Sequence, residues 1–204
     1  MARTCTRQTR ALAKSIAILP QNPTAPEGLT VRELVSYGRA PYKTSFFSRT
    51  TAKDREMIDW ALTETNMMEF QHRPIGAMSG GQRQRAWIAM AIAQDTEILF
   101  LDEPTSFLDV AHQMEVLRLV QHLNEAYGKT IIMVLHELNQ AARFAHCLVG
   151  MCRGQLLYCG KPEEVFHKEM LHRVFHIDAE LMSDPRTGKP MCIPYCVNES
   201  EHSA

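Results

Sequence analysis

At 204 residues the chain can bury one sizeable core, or one core and a smaller lobe. A formal net charge of -1 argues against a globally basic binder of nucleic acid or anionic lipid, although Arg3, Arg7, Arg10 and Lys14 all precede the first acid, Glu27. No apolar run reaches transmembrane length, the opening Met1-Ala2-Arg3-Thr4-Cys5 lacks the apolar core of a signal peptide, and six scattered cysteines without a Cys-x-x-Cys pair read as small core hydrophobes of a reducing compartment.

The chain's first structural signal is Ile16-Ala17-Ile18-Leu19, an unbroken apolar run closed by Pro20. This is the pattern of a parallel strand buried on both faces, and Gln21 follows at its carboxyl end. Thr30 and Glu33 form a capping box for a short helix through Tyr37. Thr50 or Thr51 caps a second helix running to about Asn66, with Met57, Ile58, Ala61 and Leu62 on one face. Tyr42, Phe46 and Phe47 form an aromatic patch, read as a local cluster under the intervening loop.

The stretch 79–109 concentrates the chemistry. Ser79 is a good N-cap, and Arg83, Ala86, Ala89, Met90 and Ala93 follow at helical spacing. Gly80 and Gly81 let the backbone approach something closely, and a bare helix N-terminus favours an anion. Residues 98–101 form a second apolar run of the buried-strand type, and Asp102 and Glu103 stand at its carboxyl end. Ligands of open parallel sheets bind at that end, and two acids placed there are costly unless a cation or a proton transfer uses them.

After Asp109 an amphipathic helix runs to Tyr127, burying Val116, Leu119, Val120 and Leu123, and Gly128 ends it. Residues 130–135 read as a third buried strand, with His136 directly after it. A lone histidine is usually structural, but this one shares its position with Gln21 and Asp102. A helix to about Ala145 follows, then a strand at 148–151, a turn at Arg153-Gly154, a strand at 155–159 and a helix start at Pro162. His172 and His176 are one helical turn apart without a carboxylate or thiolate to complete a metal set, so they read as an exposed helix face. Cys192 and Cys196, on either side of Pro194, read as packing residues of one strand face.

Ser79-Gly80-Gly81-Gln82, then a strand ending Leu101-Asp102-Glu103-Pro104-Thr105-Ser106, then Leu108-Asp109, resembles the ATP-binding subunit of ABC transporters. In that family these are the signature motif, the Walker B strand and the D-loop. Met78 stands where leucine is usual, a volume-conserving change. Gln21 with the segment after it resembles the Q-loop, and His136-Glu137-Leu138-Asn139 the H-loop, so the resemblance runs from about Ile16 onward.

The resemblance implies an α/β fold of the P-loop NTPase type, a parallel sheet core with a helical subdomain. Its expected segments are 1–28 (residual core with the Q-loop), 29–77 (helical subdomain), 78–160 (signature, Walker B, D-loop and H-loop core) and 161–204 (C-terminal helices and strands). It further implies that Asp102 holds Mg2+, that Glu103 is the general base, that Gln21 reaches the metal and the attacking water, and that His136 contacts the γ-phosphate of ATP. Ser79, Gly80, Gly81 and Gln82 would act across a head-to-tail dimer on a second subunit's nucleotide, with Asp109 communicating between the sites. The implied partners are transmembrane permease subunits and that second ATP-binding subunit, not nucleic acid. The implied location is peripheral, on the cytoplasmic face of the inner membrane. The segments 19–23, 37–42 and 183–190 resemble ferric-siderophore and vitamin B12 importers, with iron–siderophore the expected cargo.

The family's phosphate cradle, G-x-x-x-x-G-K-[ST], does not occur in the 204 residues. Five residues separate Gly154 from Gly160-Lys161 and proline follows that lysine, while Gly188-Lys189-Pro190 also fails the pattern. The expectation is therefore an N-terminally truncated ABC subunit that binds ATP and Mg2+ weakly and does not hydrolyse ATP alone. The rival is a non-catalytic partner that donates its signature, or an inactive fragment. A soluble ABC protein of DNA repair or translation is disfavoured by the single signature and the lack of basic patches.

Overall fold

In the computed structural model, which describes residues 9–43 and 49–197, three short strands build a parallel sheet in the order β1-β2-β3. They are β1 (Ile16–Leu19), β2 (Ile98–Asp102) and β3 (Thr130–Val134). Arg3, Cys5, Arg7, Phe46 and Phe47 lie outside the described residues. Register aligns Ala17 with Leu99 and Leu99 with Ile131, then Leu19 with Leu101 and Leu101 with Met133. These six side chains share one sheet face and one apolar cluster.

The apolar strands are covered on this face and exposed on the other. Ile18, Phe100 and Ile132 form an aligned row there, and Ile18 is 65% exposed and Ile132 46%. The continuous apolar runs suit two covered faces. Among the described residues, however, the helices that join the sheet's cluster pack on the Leu99 side alone.

Those helices explain the rest of the first compact unit, which ends at Val134. α1 (Val31–Tyr37) begins with the Thr30–Glu33 capping box, and α2 (Ala52–Glu64) with a second box from Thr51 and Asp54. α3 (Gly80–Ala93) packs on both and on β1, burying Ala86, Trp87, Ile88, Ala89, Ile92 and Ala93. A Cβ at Gly38 would fall 2.1 Å from the Met90 carbonyl oxygen, so only glycine lets the end of α1 meet α3. Arg39 beside it is 3% exposed. It pairs with Asp54 at 3.0 Å and donates to the Ala93 carbonyl at 2.8 Å. Its guanidinium also lies 3.9 Å from the Tyr42 ring centroid, so Tyr42 covers a cation in addition to any aromatic neighbours. α4 (Val110–Tyr127) buries Val116, Leu117, Val120 and Leu123, and Gly128 ends it in the left-handed region at φ 63°.

The second unit runs from Leu135 onward. It holds α5 (Leu138–Phe144), the antiparallel ribbon β4 (Leu148–Cys152) and β5 (Gln155–Gly160), α6 (Pro162–Val165), α7 (Lys168–Phe175) and the ribbon β6 (Ile177–Ser183) and β7 (Pro190–Val197). Its core is Ala142, Phe166, Met170, Leu171, Ala179 and Cys192. Asn139 clamps α5 to β7 by donating to the Cys192 carbonyl at 3.0 Å and accepting its N–H at 2.7 Å.

The cysteine expectation holds for Cys192 and fails for Cys147, Cys159 and Cys196, which are exposed, while Cys152 is half-buried. A register shift between Asp178 and Ala179 breaks the alternation of β7, so Cys196 does not share the buried side of Cys192. His172 is exposed and lies 3.3 Å from the Asp178 carboxylate, and His176 caps the end of α7 in the left-handed region.

Candidate functional site

The parallel register brings the ends of β1 and β2 together, and with them residues far apart in sequence. Leu19 pairs with Leu101, so Gln21 and the acids Asp102 and Glu103 emerge at the same edge. Gln21 Nε2 donates to Glu103 Oε2 across 82 positions of chain. Ser106 Oγ donates to that same oxygen at 2.8 Å, from a turn closed by the Ser106 N–H on the Glu103 carbonyl. Glu103 sits at φ 49°, a left-handed conformation that non-glycine residues adopt only where the surroundings impose it. The carboxylate is thus aimed by backbone and by two donors. Asp102 is exposed at the end of β2, on the same side of the sheet as Phe100.

Ser79 behaves as its position predicts. Its Oγ accepts the Gln82 N–H at 3.2 Å, and Gln82 Oε1 accepts the Ser79 N–H at 3.1 Å, completing a capping box. The helix itself offers no partner to the N–H groups of Gly80 and Gly81. The two glycines differ, however. A Cβ at Gly80 would meet only Leu108 Cδ2 at 3.8 Å, whereas one at Gly81 would fall 2.3 Å from Cδ2 of the His112 ring.

Asp109 is the N-cap of α4. Its Oδ1 accepts the His112 N–H at 2.9 Å, and His112 Nδ1 lies 2.8 Å from both carboxylate oxygens. The backbone bond from His112, followed by the ring bond, holds the Asp109 carboxyl below the usual carboxylate range. A carboxylate only accepts, so Nδ1 carries the proton.

His136 stands exposed, two residues after β3, and belongs to the second unit. The structure therefore brings together Gln21, Asp102 and Glu103 at one sheet edge. It also joins Ser79, Gly80, Gly81 and Gln82 to Asp109 through His112. Ser106 and His112 escape the reading of the sequence. The signal for each is local: a hydroxyl three residues beyond a turn-forming acid, and a histidine three residues beyond an N-cap.

Comparison with known proteins identifies the family and the fold. The model of the ABC transporter family matches residues 2–106. The iron(3+)-hydroxamate import ATP-binding protein FhuC of Bacillus subtilis (strain 168) is 54% identical over 193 residues, which are 95% of this chain and 71% of FhuC. The ferric enterobactin transport ATP-binding protein FepC of Escherichia coli (strain K12) is 39% identical, covering 91% of this chain and 68% of its own. Among solved structures, a metal-chelate type ABC transporter in an inward-facing conformation superposes with a TM-score of 0.81 at 28% identity, covering 89% of this chain and 73% of that one. The dimeric ATP-binding cassette MJ0796, in a post-hydrolysis state with ADP and Pi, superposes at 0.63 and 26% identity over 76% of this chain and 66% of its own. The edge that joins a glutamine to a strand-end glutamate, and the glycine helix start that faces His112, are thus built on the fold of an ATP-binding cassette, and the chain belongs to the ABC transporter family.

Proposed function

We propose that the chain is the ATP-binding subunit of an importer of iron–siderophore complexes and works as half of a head-to-tail pair. The names of its relatives, FhuC and FepC among them, support the cargo. The cargo is bound elsewhere in the complex, so this chain need not touch iron. The observation that carries the mechanism is the bond from Gln21 to Glu103, which joins two otherwise distant motifs at the edge where a nucleotide's γ-phosphate would be attacked.

In this reading Glu103 accepts a proton from the attacking water, and Gln21 and Ser106 hold its carboxylate in line. His136 contacts the γ-phosphate. The donors at the end of β2 suit Mg2+: Asp102 is an exposed carboxylate, and Gln21, its Nε2 engaged by Glu103, keeps an amide oxygen free to accept. Magnesium takes few protein carboxylates and completes its shell with phosphate oxygens and water, so this sparse set fits it, and the ion would neutralise charge on the phosphates. Ser79, Gly80, Gly81 and Gln82 face the nucleotide of the second subunit, offering a positive helix end, and Asp109 relays between the two sites. The partners are permease subunits at the cytoplasmic face of the membrane. Among the described residues no helix is long and apolar enough to cross one.

In a head-to-tail pair the signature residues Ser79 to Gln82 complete the site whose phosphate cradle lies on the other subunit. The test mixes the chain with a full-length family subunit whose own signature serine is disabled, and measures ATP turnover. The chain restores turnover, Ser79→Arg abolishes the rescue, and Glu103→Gln leaves it intact because that acid lies in the opposite site. The reverse pattern would show that the roles across the interface are misassigned.

A further inference from the structure

A glycine at a helix start lets the backbone approach a ligand closely, but the open side of Gly81 is filled from within the chain. A Cβ there would lie 2.3 Å from Cδ2, 2.7 Å from Cγ and 3.1 Å from Nε2 of His112, all well inside or at the edge of contact. The ring cannot swing aside cheaply, because Nδ1 is held by both oxygens of Asp109 and the His112 backbone N–H is held by the same carboxylate. One turn further along, Arg85 of α3 reaches Glu115 of α4 at 3.5 Å. Two helix starts from different motifs are therefore joined by an imidazole that touches one and is tethered to the other.

We propose that His112 is a positioning residue of the composite site, one that locks the signature turn at Gly81 to Asp109 so that both meet the second subunit as one rigid piece. The proposal rests on the reading of Ser79 to Gln82 as the face presented to that subunit's nucleotide. His112 touches neither nucleotide nor metal in this scheme. It sets the distance between the N–H groups of Gly80 and Gly81 and the Asp109 carboxylate, and a shift of even 1 Å in such a constellation is costly to the chemical step. Glycine is required at Gly81, where the ring fills the space, whereas a Cβ at Gly80 would make only an ordinary contact with Leu108.

The test has two arms. In the chain alone, 15N NMR of the His112 ring is expected to show the proton on Nδ1, and Asp109→Ala is expected to release it. A neutral ring that populates both tautomers regardless of Asp109 overturns the lock. In the mixed assembly described above, His112→Ala and Gly81→Ala are each expected to lower kcat about tenfold with KM for ATP nearly unchanged. The double variant falls no further than His112→Ala, since removing the ring makes the added methyl harmless. His112→Asn, which keeps a side-chain donor for Asp109, recovers part of kcat. A purely structural ring would lower the melting temperature while leaving kcat and KM of the folded assembly alone, and that result overturns the proposal. If His112→Ala leaves kcat within about twofold while Ser79→Arg abolishes turnover, the lock fails and the composite site stands. If Ser79→Arg leaves turnover intact, the composite site falls and the proposal falls with it.

Discussion

Glu103 shows how a single residue's environment decides what it can do. A strand-end carboxylate facing water is unremarkable, but one forced to φ 49° and gripped on one oxygen by Gln21 and Ser106 has its direction set. The cysteines show the opposite case, where residue type misleads. Cys192 is 2% exposed and its thiol is pushed up by burial, so it carries little thiolate near neutral pH. Cys147, Cys159 and Cys196 are exposed, although the Cys147 thiol holds Cys159 up as well. A maleimide titration of the native chain followed by peptide mass mapping is expected to modify Cys147 and Cys196 first, Cys159 later and Cys192 only on unfolding. Early labelling of Cys192 would contradict the core of the second unit. Composition alone cannot make this distinction, because a cysteine's burial depends on strand register, and the irregularity in β7 that turns Cys196 outward has no sequence mark stronger than Pro194. Positions such as Gln21, Ser79 and Asp102 were legible because each stands at the end of a strongly marked element.

At the scale of elements, the capping boxes at Thr30, Thr51 and Ser79 are local chemistry, and the sequence announces all three helix starts. What joins those helices is not local and was not legible. Arg39 looks like an ordinary loop cation, yet it is buried where α1, α2 and α3 converge, bonded to Asp54 and to the Ala93 carbonyl. Burial works against the Asp54 charge, but the Thr51 N–H, the Thr51 hydroxyl and Arg39 outweigh it and hold its carboxyl below the usual range. Removing one partner leaves the other charge buried and unpaired, so Arg39→Ala is expected to destabilise the first unit by about 3 kcal/mol in a denaturant melt. Arg39→Met, which fills the space without the charge, leaves Asp54 equally unpaired and rescues little. Arg39→Met combined with Asp54→Leu is expected to recover much of the loss. A melt unchanged by Arg39→Ala would remove this pair from the account of how the helical segment is held. Gly38 belongs to the same junction, and its requirement follows from a carbonyl of α3, 52 positions away, that no local pattern announces.

At the largest scale, the dominant physical fact among the described residues is an exposed apolar face of the sheet. Ile18, Phe100 and Ile132 stand in one row, with Val134 beyond them at 51% exposure, and such a stripe favours contact with any apolar surface available. The isolated chain is expected to associate as its concentration rises, to bind a fluorescent hydrophobic dye and to melt broadly. Ile132→Thr is expected to reduce the association, as read by sedimentation velocity. A sharp, concentration-independent melt of a monomer would contradict this. The run of apolar residues in each strand made the parallel sheet readable, but the same run cannot reveal which face is covered, since both faces look alike in sequence. The bond between Gln21 and Glu103 has a further consequence, in the time domain. It closes a loop of 82 positions, while the signature helix forms its capping box within four residues of chain. Closing long loops is slow and entropically costly, and non-local parallel pairing is late in folding. A chain emerging from synthesis therefore acquires the signature helix start, proposed above to serve another subunit's nucleotide, before the Gln21–Glu103 edge proposed to orient water.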